Sequence, residues 1–196
     1  TRHPLPTQPS SKNLDCSMKR VLFVPGFQEN RQSRNYDLIL EAFSRSGYKP
    51  QFVDINWYRT TQDDWVRQLN IARSQCGFDA AIAGFSFGAV TALLSAADMA
   101  PAELWLFSLS TLFAEDAATW TKTDRKIIGK RRLTLASQIS FDALARQITC
   151  PTYVFIGSRE IEHWPEMGRR YEQVVAQCRF SQGSIVRNVG HAMEDR

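Results

Sequence analysis

Residues 79–97 form the stretch DAAIAGFSFGAVTALLSAA, which decides the fold of this chain. Residues 80–83 are apolar and predict a buried strand over residues 79–83, and residues 89–97 predict a helix. Between them lies Gly84-Phe85-Ser86-Phe87-Gly88, a G-x-S-x-G pattern at a sharp turn from strand to helix. A Cβ two positions either side of the serine would crowd such a turn. The pattern therefore predicts a serine hydroxyl that projects above the carboxyl edge of a sheet.

Short apolar runs and helical patterns alternate along the rest of the chain. The predicted strands cover residues 21–24, 51–57, 79–83, 103–107, 152–156 and 184–189. The predicted helices cover residues 36–46, 63–75, 89–97, 141–147 and 165–176. Strands separated mainly by helices predict an α/β fold, a single domain with a parallel sheet of about six strands and helices on both faces.

The bulk composition is that of an ordinary soluble domain. The 196 residues include 43% hydrophobic and 22% charged residues, and the net charge is +4. No apolar run approaches the roughly 18–20 residues that a membrane span needs, and no basic face indicates nucleic acid. The four cysteines have no metal-ligand spacing and are interpreted as reduced thiols, so we expect a cytoplasmic protein without a metal or another cofactor.

The first 17 residues, TRHPLPTQPSSKNLDCS, have no hydrophobic periodicity. They predict a disordered tail or a leader, with the folded domain over residues 18–196 and Met18 as a plausible native start. The sequence leaves the oligomeric state open.

A serine nucleophile needs a general base, and the chain has three histidines. His3 lies in the predicted tail, and His163 is interpreted as a partly exposed loop residue. His191 follows the last predicted strand, five residues from the end of the sequence. It is therefore the candidate base.

The G-x-S-x-G pattern with a late histidine resembles the α/β-hydrolase superfamily. The segments PG after the first strand, GFSFGA, CPTYVFIGSRE and GHAMED are similar to compact, nearly capless bacterial hydrolases, over about residues 18–196. The resemblance implies Ser86 as nucleophile and His191 as base, with an acid between them in chain order. Such hydrolases often have G-x-x-D after the strand at 152–156, where this chain has Gly157-Ser158-Arg159-Glu160.

Glu160 is therefore the preferred acid, and Glu162 is the alternative. Glu115 and Asp116, which follow the strand at 103–107, are a remoter option. The resemblance also places two oxyanion donors, which are the backbone N–H groups of Phe87 and Phe27.

The segment between residues 108 and 151 leaves room for a crossover helix at 141–147 and a small lid, so we expect a fairly open site for a small or extended substrate. Its basic stretch, residues 122–132, is interpreted mainly as a solvated face, with steering of an anionic substrate or a partner as the alternative. Six aromatic residues could line an acyl pocket or belong to the core: Trp57, Tyr58, Phe85, Phe113, Trp120 and Trp164.

These features favour a serine hydrolase that cleaves an ester or thioester of a small-molecule acyl substrate through an acyl-enzyme. Two alternatives remain at this point. An acyltransferase would pass the acyl group to an acceptor other than water, and a non-catalytic binding module could have kept the fold.

Overall fold

The computed structural model describes residues 18–33, 36–77 and 79–191. The predicted tail at residues 1–17, with His3 and Cys16, lies outside the described residues.

A six-stranded parallel sheet forms the centre of the molecule, and its strand order is β2-β1-β3-β4-β5-β6. The strands are β1 (Lys19–Val24), β2 (Tyr48–Phe52), β3 (Ala81–Phe85), β4 (Leu104–Phe107), β5 (Thr152–Gly157) and β6 (Ser181–Val186). Because all six strands run in one direction, their carboxyl ends lie along one edge of the sheet. The loops that carry the candidate site residues leave from that edge.

Eight α-helices accompany the sheet within the described residues. They are α1 (Asp37–Arg45), α2 (Gln62–Cys76), α3 (Phe87–Asp98), α4 (Lys122–Ile128), α5 (Lys130–Ala136), α6 (Phe141–Gln147), α7 (Ser158–His163) and α8 (Pro165–Gln177). The predicted α/β fold, one domain with a parallel sheet and helices on both faces, is confirmed.

Two hydrophobic clusters cover the two faces of the sheet. Leu22 and Val24 of β1 belong to the larger cluster, which includes side chains of α2, α3, α6 and α8. Val21 and Phe23, which alternate with them, belong to the smaller cluster together with Phe43 of α1. Both faces of β1 are thus buried over residues 21–24, which explains why that part of the strand is continuously apolar rather than alternating.

Three predicted strands are displaced in the structure. The strand expected at 79–83 is β3, which begins and ends two residues later. The strand expected at 51–57 is β2, which ends at Phe52, although Val53, Ile55 and Trp57 are buried in the larger cluster. The Val53 N–H still donates to the Phe23 carbonyl oxygen on β1 (2.8 Å), but beyond it the alternation reflects packing of an irregular segment. The strand expected at 184–189 is β6, which begins and ends three residues earlier and is followed by a turn at Asn188 with φ of 59°.

Residues 108–151 contain a short 3-10 helix (Ala114–Asp116) and the helices α4, α5 and α6. The crossover helix predicted at 141–147 is α6. One residue of the basic stretch does not belong to a solvated face. The guanidinium of Arg132, on α5, donates to the carbonyl oxygens of Thr60 (2.8 Å), Trp57 (2.6 Å) and Ile128 (2.9 Å). Arg132 therefore ties α5 to the segment that follows β2.

We expect Arg132→Lys to lower the free energy of unfolding by about 1–3 kcal/mol, because an ammonium lacks the planar fork that reaches three carbonyl groups. Urea unfolding monitored by circular dichroism measures this loss. Arg131→Lys is the matched control, since Arg131 is exposed, and it is expected to change stability by less than about 0.5 kcal/mol. Equal effects of the two substitutions would contradict the role given to Arg132.

Candidate active site

Ser86 occupies the sharp turn between β3 and α3, with φ of 55° and ψ of −115°. A non-glycine residue in this conformation is strained, by about 1–3 kcal/mol. The Ser86 N–H donates to the carbonyl oxygen of Phe107 on β4 (2.9 Å), and the Ser86 carbonyl accepts the N–H of Ala89 (3.0 Å) at the start of α3. The turn is thus fixed on both sides, and α3 begins directly behind the hydroxyl.

The two glycines of the pattern are required by close backbone contacts. A Cβ on Gly84 would lie 2.2 Å from the carbonyl oxygen of Gly88, and a Cβ on Gly88 would lie 2.2 Å from that of Val24. Neither position has room for a side chain without movement of β1 or α3. The sequence interpretation of these glycines agrees with the geometry.

The imidazole of His191 lies between Ser86 and Glu160. Its Nε2 is 3.1 Å from Ser86 Oγ, and its Nδ1 is 2.6 Å from Glu160 Oε1. The Glu160 side chain is fully buried, whereas 34% of the His191 side chain is exposed. The structure therefore brings together the three residues predicted as nucleophile, base and acid, although 105 residues separate Ser86 from His191.

Glu160 lies in the first turn of α7, directly after β5. Its second carboxylate oxygen, Oε2, accepts the hydroxyl of Ser108 (2.8 Å) and the backbone N–H of Gly157 (2.7 Å). Ser108 follows β4, is fully buried and has a positive φ of 50°. With Oε2 held in this way, Oε1 is free to face the imidazole.

The loop that carries His191 is anchored to the junction of β5 and α7. The Asn188 N–H donates to Ser158 Oγ (3.0 Å), and the Arg159 N–H donates to the carbonyl oxygen of Val189 (3.2 Å). A Cβ on Gly157 would lie 2.1 Å from that same carbonyl oxygen, so only glycine permits this approach. The segment that supplies the carboxylate thus also positions the histidine.

The other candidate acids do not contact the imidazole. Glu162 is exposed on α7. Asp116 forms a buried ion pair with Arg170 at 2.6 Å. Glu115 accepts Ser140 Oγ and the Phe141 N–H at the start of α6. Glu160 is therefore the carboxylate that the fold places at His191.

The loop after β1 is held by a buried network. The Gly26 N–H donates to the Tyr36 hydroxyl oxygen (2.8 Å) and to Glu29 Oε2 (3.1 Å), and the Tyr36 hydroxyl also donates to Glu29. Burial raises the pKa of the Glu29 carboxyl, although the Gly26 N–H and the charge of His191 oppose that rise. The Gly26 N–H is thereby occupied within the loop, and sequence reasoning did not single out Glu29 or Tyr36.

The two residues predicted as oxyanion donors are neighbours. The rings of Phe27 and Phe87 have centroids 5.0 Å apart, and the Phe27 ring also lies under the guanidinium of Arg132 at 5.0 Å. The loop after β1 and the start of α3 are therefore packed together next to Ser86. That their backbone N–H groups bind an oxyanion stays a prediction.

A cavity of about 420 Å³ opens beside Ser86 and His191. Its apolar walls are Leu112, Trp120, Ile128, Trp164 and Met167. Its polar walls include Ser110, Thr111, Thr123, Asp124 and Glu166. These residues come from the loop after β4, from residues 119–128 and from the start of α8. The volume of the cavity is in the range of small-molecule sites.

Only two of the six aromatic residues considered from the sequence line this cavity. These two are Trp120 and Trp164. The Trp164 and His191 rings meet edge to face, with their centroids 5.7 Å apart. Trp57, Phe85 and Phe113 are buried in the hydrophobic core, and Tyr58 is exposed. His163 is exposed at the end of α7, where its ring contacts Trp164.

Removal of the charge at Glu160 is expected to lower kcat/KM about 10³- to 10⁴-fold if His191 is the base. Glu160→Gln keeps the size of the side chain but removes the charge that stabilises a protonated imidazole. Hydrolysis of p-nitrophenyl acetate measures the loss, and circular dichroism reports folding. Glu162→Gln is the matched control and should keep the activity of wild type. Equal activities of the two variants would contradict a role of Glu160 in the reaction.

Within the described residues, no helix is both long and apolar enough to cross a membrane. Among the residues that the structure describes, no group of three or more His, Cys, Asp or Glu side chains is arranged to hold a metal ion.

No protein-family model and no curated protein sequence matches the chain. Solved structures do match it. Est1E from Butyrivibrio proteoclasticus is 16% identical, covers 93% of this chain and 84% of its own, and has a TM-score of 0.74. The carboxylesterase CesB from Bacillus subtilis is 16% identical, covers 90% and 78%, and has a TM-score of 0.63. A thioesterase domain from the curacin biosynthetic pathway is 13% identical, covers 90% and 86%, and has a TM-score of 0.66.

The chain therefore has the α/β-hydrolase fold. At these identities the likeness concerns the fold, and the activity depends on the side chains at the carboxyl edge of the sheet.

Proposed function

We propose that the chain is a serine hydrolase that cleaves a small or extended ester or thioester through an acyl-enzyme. The observation that carries the proposal is the continuous contact from Ser86 Oγ through the His191 ring to the buried Glu160 carboxylate. A nucleophile, a base within hydrogen-bond distance and a third group that orients the base are the parts that acyl transfer to serine needs.

In the first half of the reaction, His191 Nε2 accepts the proton of Ser86 Oγ as that oxygen attacks the carbonyl carbon. Glu160 stabilises the imidazolium that forms. The backbone N–H groups of Phe27 and Phe87 bind the oxyanion, and the start of α3 adds partial positive charge there. His191 then gives its proton to the leaving alcohol or thiol as the carbonyl–leaving-group bond breaks.

In the second half, His191 takes a proton from water while the water oxygen attacks the acyl carbon. The bond from the acyl carbon to Ser86 Oγ breaks, and Oγ recovers a proton from His191. The carboxylic acid is released, and the enzyme returns to its starting state.

The cavity beside the triad supports a small-molecule substrate. Its apolar walls fit the hydrocarbon part of a substrate, and its hydroxyl-bearing walls offer hydrogen bonds. The side chain of His191 is one-third exposed, so an extended substrate can reach it from solvent.

The proposal is tested with a fluorophosphonate, which phosphonylates activated serines, and with p-nitrophenyl acetate as the activated ester. We expect one phosphonyl group per folded molecule and a loss of ester hydrolysis in proportion to the label. Heat-denatured protein is the control and should stay unlabelled, because the triad exists only in the folded chain. Native protein that neither accepts the label nor hydrolyses the ester would refute a serine hydrolase. Product analysis with added alcohols separates hydrolysis from acyl transfer.

A further inference from the structure

A second serine hydroxyl lies next to the proposed nucleophile. Ser110 Oγ is 3.0 Å from Ser86 Oγ, and Ser110 is half-buried in the loop that follows β4. It also lines the cavity together with His191. This hydroxyl has no role in the proposed oxyanion site or in the proposed triad of Ser86, His191 and Glu160.

The direction of this hydrogen bond follows from the proton count. A serine hydroxyl has one hydrogen and two lone pairs. Since the Ser86 hydrogen points to His191 Nε2 in the reactive arrangement, Ser86 Oγ must accept from Ser110. The Ser110 hydroxyl therefore points its hydrogen at the place where bonds form and break.

The strand order determines which side of Ser86 this hydroxyl occupies. β3, which leads to Ser86, lies between β1 and β4. The proposed oxyanion donor Phe27 follows β1, whereas Ser110 follows β4 and His191 follows β6. Ser110 thus lies on the side of His191. That is where the leaving group must be protonated and, by microscopic reversibility, where the attacking water must be deprotonated.

We propose that Ser110 is a catalytic residue that binds the acyl acceptor. This inference rests on the serine-hydrolase function proposed above. In the acyl-enzyme, Ser86 Oγ is esterified, and the Ser110 hydroxyl turns to the water that His191 activates. The water oxygen accepts a hydrogen bond from Ser110 while one water proton goes to His191 Nε2. The oxygen then attacks the acyl carbon, and the proton passes from His191 to Ser86 Oγ as the ester bond breaks.

Removal of this hydroxyl should slow deacylation more than acylation. We expect Ser110→Ala to lower the deacylation rate about tenfold or more, which corresponds to one lost hydrogen bond to the reacting water. The acylation rate should change less, because the contact of Ser86 with His191 remains. The fraction of enzyme acylated during steady-state turnover of p-nitrophenyl acetate therefore rises, and intact-protein mass after an acid quench measures it.

Three further variants complete the experiment. Ser110→Thr retains a hydroxyl and should return the acylated fraction towards that of wild type. Ser110→Gly repeats the removal with a smaller side chain. Ser74→Ala removes an exposed hydroxyl on α2 that does not line the cavity, and it should leave the fraction unchanged.

An acylated fraction that is unchanged or lower in both Ser110→Ala and Ser110→Gly would overturn the proposal. A lower fraction would mean that Ser110 only orients Ser86 for acylation. In either case the wild-type acyl-enzyme would still be observed, so the serine-hydrolase function would stand. Absence of any acyl-enzyme and of any turnover in wild type would instead refute that function.

Discussion

Ser86→Ala is expected to reduce kcat for p-nitrophenyl acetate by up to about a millionfold, to near the rate without enzyme. The substitution removes the only atom that forms the covalent bond to the acyl group in the proposed reaction. It leaves the backbone of the turn unchanged, because alanine can be held in the same conformation by the contacts to Phe107 and Ala89. The loss should therefore concern chemistry and not folding.

Ser74→Ala is the matched control, because Ser74 is an exposed serine on α2 that does not line the cavity. Its activity should equal that of wild type. Thermal unfolding of both variants checks that they are folded. A Ser86→Ala protein with wild-type turnover would remove Ser86 from the mechanism, whatever the distances at the site.

His191→Ala is expected to cost as much as the loss of Ser86, because nucleophile and base act as one unit. Without the imidazole, Ser86 Oγ has no acceptor for its proton. Glu160 is fully buried and Ser110 is itself a hydroxyl, so neither takes over as base. The measurement is kcat/KM for p-nitrophenyl acetate at neutral pH.

Added imidazole should restore a part of the activity of His191→Ala, since the vacated place is one-third exposed and lies beside the open cavity. His163→Ala is the control, because His163 lies on the surface of α7 and contacts only Trp164 among the aromatic rings described. If His163→Ala lost activity and His191→Ala retained it, the base would have to be reassigned.

The fold could be predicted from the sequence because its strands are short apolar runs in a regular alternation with helices. The displaced strands show that the same pattern does not fix where a strand begins and ends. Val53, Ile55 and Trp57 alternate with polar residues as a strand would, yet they pack an irregular segment against the core. Periodicity reports which side chains are buried, and it does not report which backbone groups pair.

The meeting of Ser86, His191 and Glu160 at one edge of the sheet could be predicted, because each follows a strand at a recognisable place. The sequence already favoured Glu160 over Glu162, and the structure shows why residue 160 is the one that reaches the imidazole. Residue 160 falls in the first turn of α7, where its carboxylate reaches both the Gly157 N–H and the imidazole. A helix begins directly after β5, and the sequence analysis did not predict it.

The side chains that support the site were not predicted. Ser108 and Ser110 belong to the segment Ser-Leu-Ser directly after β4, and both hydroxyls reach the site. A polar pair at a strand's carboxyl end, adjacent to the strand of the nucleophile, is the signal that could have identified them. Glu29 and Tyr36 depend on how the loop after β1 folds back, which no local pattern reveals.

Arg132 shows a similar limit for charge patterns. It belongs to a basic stretch whose other members are exposed, but its guanidinium is directed inward to three carbonyl groups and to the Phe27 ring. A cluster of charges in the sequence does not show which charge turns inward. Only the packing of α5 against the segment after β2 decides it.

The central claim is that Ser86 forms the acyl-enzyme, and the most direct measurement locates the acyl group. Wild-type protein is mixed with p-nitrophenyl acetate, quenched in acid during turnover and digested, and the peptides are sequenced by mass spectrometry. One acetyl group on Ser86 is the predicted result, with a greater occupancy in Ser110→Ala. An acetyl group on Ser110, on a lysine or on a cysteine, with Ser86 unmodified throughout turnover, would contradict the account.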